Sequence, residues 1–357
     1  MRRPPGRRGL GSESAVSRNV TYDALIVLSF GGPERSEDVM PFLENVTRGR
    51  GVPRERLLAV ADHYHQLGGV SPINAQARAL IAALEVELRE HGIALPIYWG
   101  NRNWHPFLAD TVRRMRDDGV QHALALVTSA FGSYSGCRQY LDDIERARAA
   151  VGEGAPAIEK LRLYFDHPGF VEAQIERTRD ALASLGADAA RARLLFSAHS
   201  IPTSMARTSP YEAQLRAICE LVARGVGRTS WELCWQSRSG PPEVPWLEPD
   251  VLATLSRLAG EDRERPVVLV PIGFLSDHVE VVWDLDREAR ARAEELDLTL
   301  VRAATVGTHP RFVAGLRELV QEKVAGAPKR MLTTLGADHD PCAATCCPAP
   351  QRPRTRP

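Results

Sequence analysis

The residues best equipped for chemistry fall into three groups. His199 stands in Leu194 to Pro202, L-L-F-S-A-H-S-I-P. An imidazole titrates near neutrality, so it can move a proton or ligate a metal. Downstream, the stretch from Pro271 to Arg290 carries Glu280, Asp284 and Glu288, each four residues after the last. On a helix that spacing stacks carboxylates along one face. A line of carboxylates leading to a histidine can carry a hard cation one way and protons the other. Histidine nitrogen with carboxylate oxygen suits a first-row divalent metal held loosely. The competing account is a solvated acidic stripe balanced by Arg287 and Arg290, although Val281, Val282 and Trp283 flank it. The third group is Cys342, Cys346 and Cys347, packed into C-A-A-T-C-C behind Asp338-His339-Asp340-Pro341. Three thiols so close point to a soft metal or an iron–sulfur cluster, with reactive surface thiols as the alternative. Such a site needs a fourth ligand, and Cys137 lies in a loop of small residues that could meet the tail. Zinc is the runner-up metal at this site.

These groups need elements to position them. Leu194, Leu195 and Phe196 form a continuous apolar run, the pattern of a parallel strand buried on both faces. Pro202 cannot donate to a sheet ladder and pushes Ile201 away from helical geometry, so His199 falls at the strand's carboxyl end. Ligands of open α/β sheets bind at that edge. Comparable runs predict strands over 23–30, 95–100, 122–129, 160–164, 233–237, 267–271 and 298–302. Periodic stretches predict helices over 36–46, 75–89, 109–118, 139–150, 168–185, 211–226, 251–259, 274–296 and 311–324. Strand and helix alternate, which implies parallel sheets with right-handed crossovers. The expected fold is α/β, with two similar doubly wound, Rossmann-like halves and a central cleft. The expected division is 1–20, a disordered basic extension; 21–165, the first half; 166–330, the second half with the histidine and the glutamate; and 331–357, a metal-binding tail, loose at its end. Gly31-Gly32-Pro33, after the first strand, could let a ligand approach the backbone. Ser71 and Asn74 are natural N-caps for the helix that follows them.

Composition narrows the function. Lys plus Arg and Asp plus Glu each total 45, so net charge is zero, against a general nucleic-acid binder. Apolar residues make up 44%, yet no run is long enough to span a bilayer, and the first residues lack a secretory h-region. A cytoplasmic protein is expected. In a reducing compartment the six cysteines are no disulfide framework, and Cys219 and Cys234 read as core thiols. There is no G-x-G-x-x-G, no P-loop and no G-x-S-x-G elbow, so nucleotide binding and serine hydrolysis have little support.

Six motifs carry a family resemblance. They are Leu28-Ser29-Phe30-Gly31-Gly32-Pro33, Gly68-Gly69-Val70-Ser71-Pro72-Ile73, Ser197 to Pro202, Trp235-Gln236-Ser237-Arg238, Trp246-Leu247-Glu248-Pro249, and Pro271 to Phe274 with Ser276 to Glu280. Spread over about residues 22–325 and in order, they resemble the ferrochelatases, which insert ferrous iron into a porphyrin. The resemblance implies a lyase of the metal-chelatase type with a chelatase fold that clamps the porphyrin between its halves. His199 is then the metal-site histidine, Glu280 its acidic partner, and Asp284 and Glu288 the continuing relay. Ser71 and Tyr140 match positions that contact propionates, with His63 and Tyr64 on a neighbouring contact segment. Phe30 replaces a tyrosine that in some relatives can bind iron. The tail resembles that of actinobacterial ferrochelatases, which implies a [2Fe-2S] cluster on Cys137, Cys342, Cys346 and Cys347. The bacterial type resembles the coproporphyrin III ferrochelatases, which implies coproporphyrin III as substrate and a monomer. Protoporphyrin IX is the alternative substrate, and a non-catalytic haem-binding or iron–sulfur sensor the alternative of another class. His199 and Glu280 are expected on opposite walls, acting from opposite faces of the macrocycle.

Overall fold

A computed structural model describes residues 21–336, 342–343 and 345–349. The expected extension over 1–20, the segment Asp338 to Pro341 and the Pro/Arg-rich end from 350 lie outside the described residues.

The first half runs β1 (Ala24–Ser29), α1 (Val39–Val46), α2 (Arg54–Gln66), α3 (Ile73–Glu90), β2 (Ile97–Asn101), α4 (Leu108–Asp117), β3 (His122–Val127), α5 (Gln139–Val151) and β4 (Ala157–Lys160). The second runs α6 (Pro168–Ala183), β5 (Arg193–His199), the short α7 (Thr203–Ala206), α8 (Tyr211–Gly225), β6 (Glu232–Gln236), α9 (Val251–Asp262), β7 (Val267–Val270), the single turn α10 (Val279–Val281), α11 (Ala289–Glu295), β8 (Leu300–Arg302) and α12 (Pro310–Val324). The two sheets share one plan, β2-β1-β3-β4 and β6-β5-β7-β8, and every pairing is parallel. The inner strands of both, β1 and β3 in one and β5 and β7 in the other, are buried on both faces. In β1, Leu25 and Val27 join the core between the halves, while Ala24, Ile26 and Leu28 pack under α4 and α5. In β5, Leu194 and Phe196 face that central core and Leu195 faces α9 and α11. Full burial of such side chains contributes roughly 1.5–3 kcal/mol each, which is why the strands read as unbroken apolar runs.

Three elements differ from expectation. Helix α2 was not anticipated: its buried residues, Leu57, Ala61 and Tyr64, are sparse among charges. The strand expected over 160–164 lies at Ala157–Lys160. Leu161, Leu163, Tyr164 and Phe165 are apolar because they cross between the halves inside the core. The helix expected from Phe274 begins at Val279. Before it, Gly273 crosses the end of β5 so closely that a Cβ would sit 2.7 Å from that of Ala198. The chain must clear that contact before it can coil. It then widens into a π-helical turn over Val282–Glu288.

Candidate active site

The carboxyl ends of both sheets meet at one interface. A narrow gap there is lined by Ser29 at the end of β1, Thr128 after β3, and Leu275 and Ser276 after β7. It is a packing gap between the halves and does not include His199 or Glu280, whose side chains are 34% and 49% exposed beside it. The backbone N–H of Asp277 donates to Gln76 of α3 (3.0 Å), and Val279 packs into the first-half cluster of Phe42, Ala61 and Tyr64.

His199 is the last residue of β5, next to the switch point between β5 and β7. Its Nδ1 lies 2.5 Å from the Ser200 carbonyl oxygen. A carbonyl only accepts, so Nδ1 carries the proton and Nε2 faces the cleft. Tyr211 donates to the His199 carbonyl (3.0 Å), fixing the backbone. Nε2 sits 3.5 Å from Glu280 Oε2. The two groups therefore share one wall of the cleft in direct contact. The expectation that they act from opposite faces is wrong, because no macrocycle fits between them. The cause is the loop from Pro271 to His278, which folds over the end of β5 and lays Glu280 beside it.

Each group's charge follows from this contact. Burial works against a charged imidazole, but the hydrogen bond and charge of Glu280 outweigh it and raise His199 above its ordinary value. Burial likewise opposes the Glu280 carboxylate, and His199, helped by the charge of His278, brings it down to about 2. Glu280 still presents 49% of its side chain to the cleft, so it is reachable although walled by protein. Asp284 is the opposite case. Burial, with Glu280 and Glu288 as like charges, pushes it up to about 7, against the hydrogen bond from Ser237. Ser237 Oγ and Gln236 Nε2 both donate to Asp284 Oδ2 from the end of β6. The row thus holds a charged carboxylate, a proton-exchanging carboxyl and an exposed Glu288, whose Oε1 accepts from Trp283 Nε1 (2.9 Å). His278, beside the row, is lowered by burial despite Glu280.

The first half contributes the facing residues. His63 stacks on Trp283, ring centroids 3.9 Å apart and planes within 8°. Tyr64 is buried near Glu280, and burial and that charge hold its phenol protonated. Phe30, just past β1, is 37% exposed and packs edge-on against Phe42. Gly32 gives no room to a ligand: a Cβ there would lie 2.8 Å from Ser71 and Ile73, so the glycines serve the closing of two loops on each other. Ser71 is buried there, its amide bonded to the Pro33 carbonyl and its Oγ accepting from the Ile73 amide at the start of α3 (3.5 Å), while Asn74 lies inside the helix and donates to the Gly32 carbonyl (3.0 Å). Tyr140 is also buried, with the Arg102 guanidinium 3.7 Å over its ring. Arg102 pairs with Asp143, while its buried Nη2 has no hydrogen-bond partner among the described residues. Arg102 carried no sequence signal of its own, since its neighbours in space are about forty residues away in the chain.

The tail cysteines come back to the first half. Cys137 is buried in a π-helical turn over Tyr134–Arg138. The hydrogen bond from Cys342 lowers its thiol to about 6, against burial and with help from Lys160. Cys346 and Cys347 Sγ are 3.6 Å apart, and Arg138 donates to the carbonyls of Cys346 and Ala343. Among the described residues no three His, Cys, Asp or Glu side chains converge on one metal position. The four thiols meet in two pairs. Cys219 and Cys234 are core thiols, as expected, and burial raises both. No helix among the described residues is long and apolar enough to cross a membrane.

Two parallel sheets of one plan, facing each other at their carboxyl ends with a histidine and a carboxylate row between, define an α/β chelatase-type protein. The solved structure of SirB from Bacillus subtilis with Fe3+ shares the fold, at TM-score 0.53 and 14% identity over 85% of this chain and 96% of that one. The ferrochelatase family model matches residues 22–324, and the chain belongs to the ferrochelatase family. It is 55% identical to the coproporphyrin III ferrochelatase of Nocardia farcinica, over 93% of this chain and 98% of that protein. It is 52% identical to a ferrochelatase of Rhodopirellula baltica, over 93% of this chain and 95% of the relative.

Proposed function

We propose that the protein is a cytoplasmic, monomeric coproporphyrin III ferrochelatase of haem biosynthesis, with ferrous iron as its second substrate and His199 and Glu280 as the groups that meet it. The observation that carries the reading is the 3.5 Å contact between His199 Nε2 and Glu280 in the cleft. At rest the pair holds one proton between imidazole and carboxylate. An arriving dication takes the proton's place, because Nε2 and the carboxylate are the free donors of the site. Asp284, poised at about 7, accepts the displaced proton and passes it toward exposed Glu288 and solvent. When iron passes into the ring, one of the two pyrrole protons returns to the His199–Glu280 pair and the other leaves by the same route, so over the full cycle one Fe2+ enters and two protons depart. Phe30, His63 and Tyr64 line the seat of the ring. Ser71, Tyr140 and the unpaired Nη2 of Arg102 are the groups proposed to meet propionate carboxylates. Coproporphyrin is richer in such carboxylates than protoporphyrin, which supports it as substrate, together with the name of the Nocardia relative.

The tail thiols fit a [2Fe-2S] cluster held by Cys137, Cys342, Cys346 and Cys347. Two pairs of thiols suit two irons better than one zinc, which needs four ligands on a single point. The cations Arg138 and Lys160 beside Cys137 offset the thiolate charge. When bound, the cluster supplies a one-electron centre and a cross-link between tail and first half. The chain divides functionally at 165/166.

The test is anaerobic metallation of coproporphyrin III and protoporphyrin IX by ferrous iron, with His199→Ala alongside. Fast conversion of coproporphyrin III, lost by at least about a thousandfold in His199→Ala at unchanged fold, is the expected result. Conversion of protoporphyrin IX alone would remove the substrate assignment. Porphyrin binding with no metallation would make the protein a carrier or sensor.

A further inference from the structure

The carboxylate row sits on the π-helical turn of Val282–Glu288, a wide turn that has fewer favourable hydrogen-bond geometries than an α-helix and must be held open. Arg302, the last residue of β8, grips it from behind. Its Nε and Nη2 donate to Asp286 Oδ1 (2.6 Å) and Oδ2 (2.9 Å), a bidentate pair. Nη1 and Nη2 also reach Asp277 Oδ1 (3.2 Å) and Oδ2 (3.4 Å). Asp277 precedes the row and Asp286 lies inside it, so one planar guanidinium ties both ends of the segment that carries Glu280. All three side chains are three-quarters or more shielded from solvent, which spares the pairs much of the screening met by surface ion pairs. Positions two apart on a helix face away from each other, so Asp286 is held at the back while Asp284 points at the cleft. Asp284 is held in front by Ser237 and Gln236, from the end of β6. β6 and β8 are the two edge strands of the sheet, and His199 ends the strand beside β6. The Asp277 amide, bonded to Gln76, fixes the same segment to the first half.

We infer that Arg302 is a positioning residue for metal insertion: its clamp on Asp277 and Asp286 holds the wide turn so that Glu280 and Asp284 address the cation beside His199. The inference rests on the proposed site. Arg302 touches neither substrate, so its loss weakens use of the metal and spares the porphyrin. Removing Arg302 alone would leave two unneutralised carboxylates and attract cations, so the main variant is the charge-balanced R302M/D286N. Iron insertion with each substrate varied in turn should show KM for ferrous iron about tenfold higher and KM for porphyrin within twofold of the parent. Arg302→Lys, which keeps the charge but not the fork, should fall between. Parallel rises in both KM values, or a lowered melting temperature with unchanged kinetics, would overturn the clamp. If the double variant does not fold, an unchanged iron KM in Arg302→Lys does so. Cobalt(II) binding, read by its visible absorption as the component lost in Glu280→Gln, reports on the site without turnover. A parent that binds cobalt there but metallates nothing removes the proposed function and leaves the clamp testable by a tenfold weaker cobalt Kd. Equal cobalt affinity in R302M/D286N overturns the clamp.

Discussion

The two halves use the same device for different ends. After β3 the chain forms a loop, a π-helical turn at Tyr134–Arg138 and then α5. After β7, the strand in the equivalent place of the other sheet, it forms a loop, a π-helical turn at Val282–Glu288 and then α11. A wide turn displaces one side chain from the regular spiral, and such turns recur at functional sites. In the first half the displaced position gives Cys137, buried and facing the tail. In the second it gives the carboxylate row, facing the cleft. The strand ends beside them diverge in the same sense: β1 runs into apolar Phe30, β5 into His199. One plan, repeated, thus places an apolar strand end in one half and a histidine with a carboxylate row in the other, which is the division the proposed function uses.

The largest test of this division is reciprocal. Glu280→Gln removes the charged partner of His199 and is expected to slow iron insertion at least about a hundredfold, with the visible absorbance of the proposed cluster intact. Cys137→Ser is expected to abolish that absorbance, while Cys219→Ser, a change at a core thiol, preserves it. Visible spectra and metallation rates of the three variants check both claims. A cluster that survives Cys137→Ser breaks the comparison on the first-half side. Next in size, Phe30→Ala should raise KM for porphyrin several-fold with KM for iron unchanged, since Phe30 offers ring contact and no ligand. Equal effects on both constants would put Phe30 in the metal site.

A third expectation turns on Asp284, whose carboxyl keeps its proton to about 7 in the folded protein. An unfolded aspartate releases it near about 3.9. Between those values the folded state binds more protons, so this group makes stability fall as pH rises. In Asp284→Asn that slope is gone. The variant's gain in melting temperature should grow from pH 4 to pH 7 and stay level above. The parent's metallation rate should rise with pH through about 7 as Asp284 becomes able to accept protons, and the variant should lack that inflection. Melts and rate profiles at several pH values decide it; a rate inflection retained in Asp284→Asn assigns the titration to another group.

Much of this was legible beforehand, and for identifiable reasons. Strands buried on both faces announce themselves as apolar runs, so His199 could be placed at a strand end from Leu194 to Pro202 alone. The contact of His199 with Glu280 could not, because it depends on Gly273 crossing Ala198, a tertiary event without a local signature. The i, i+4 spacing brought Glu280, Asp284 and Glu288 within reach of one another's charge but concealed the turn beneath them, since a π-helical turn is written in no propensity. Helix α2 was hidden because only three of its residues face inward. Arg302 was invisible as a partner of Asp277 and Asp286 for want of any reason to pair residues 25 and 16 apart.

The smallest expected effect concerns the serines that pin the two wide turns. Ser133 caps the first, accepting from the Gly136 amide at 3.0 Å. Ser237 holds the second by donating to Asp284, and does so from a left-handed backbone, φ 59°. For a non-glycine residue that conformation costs roughly 1–2 kcal/mol. Ser237→Gly relieves the strain and loses a hydrogen bond whose net contribution is about 0.5–1.5 kcal/mol while Asp284 is protonated, below about pH 7. The two nearly cancel, so the melting temperature should change little. The bond, however, favours the charged form of Asp284, and its loss must raise the Asp284 pKa further. The rate inflection near pH 7 should therefore move upward in Ser237→Gly while stability barely changes. An inflection that stays in place would show that Ser237 holds the backbone of the site and not the proton of Asp284.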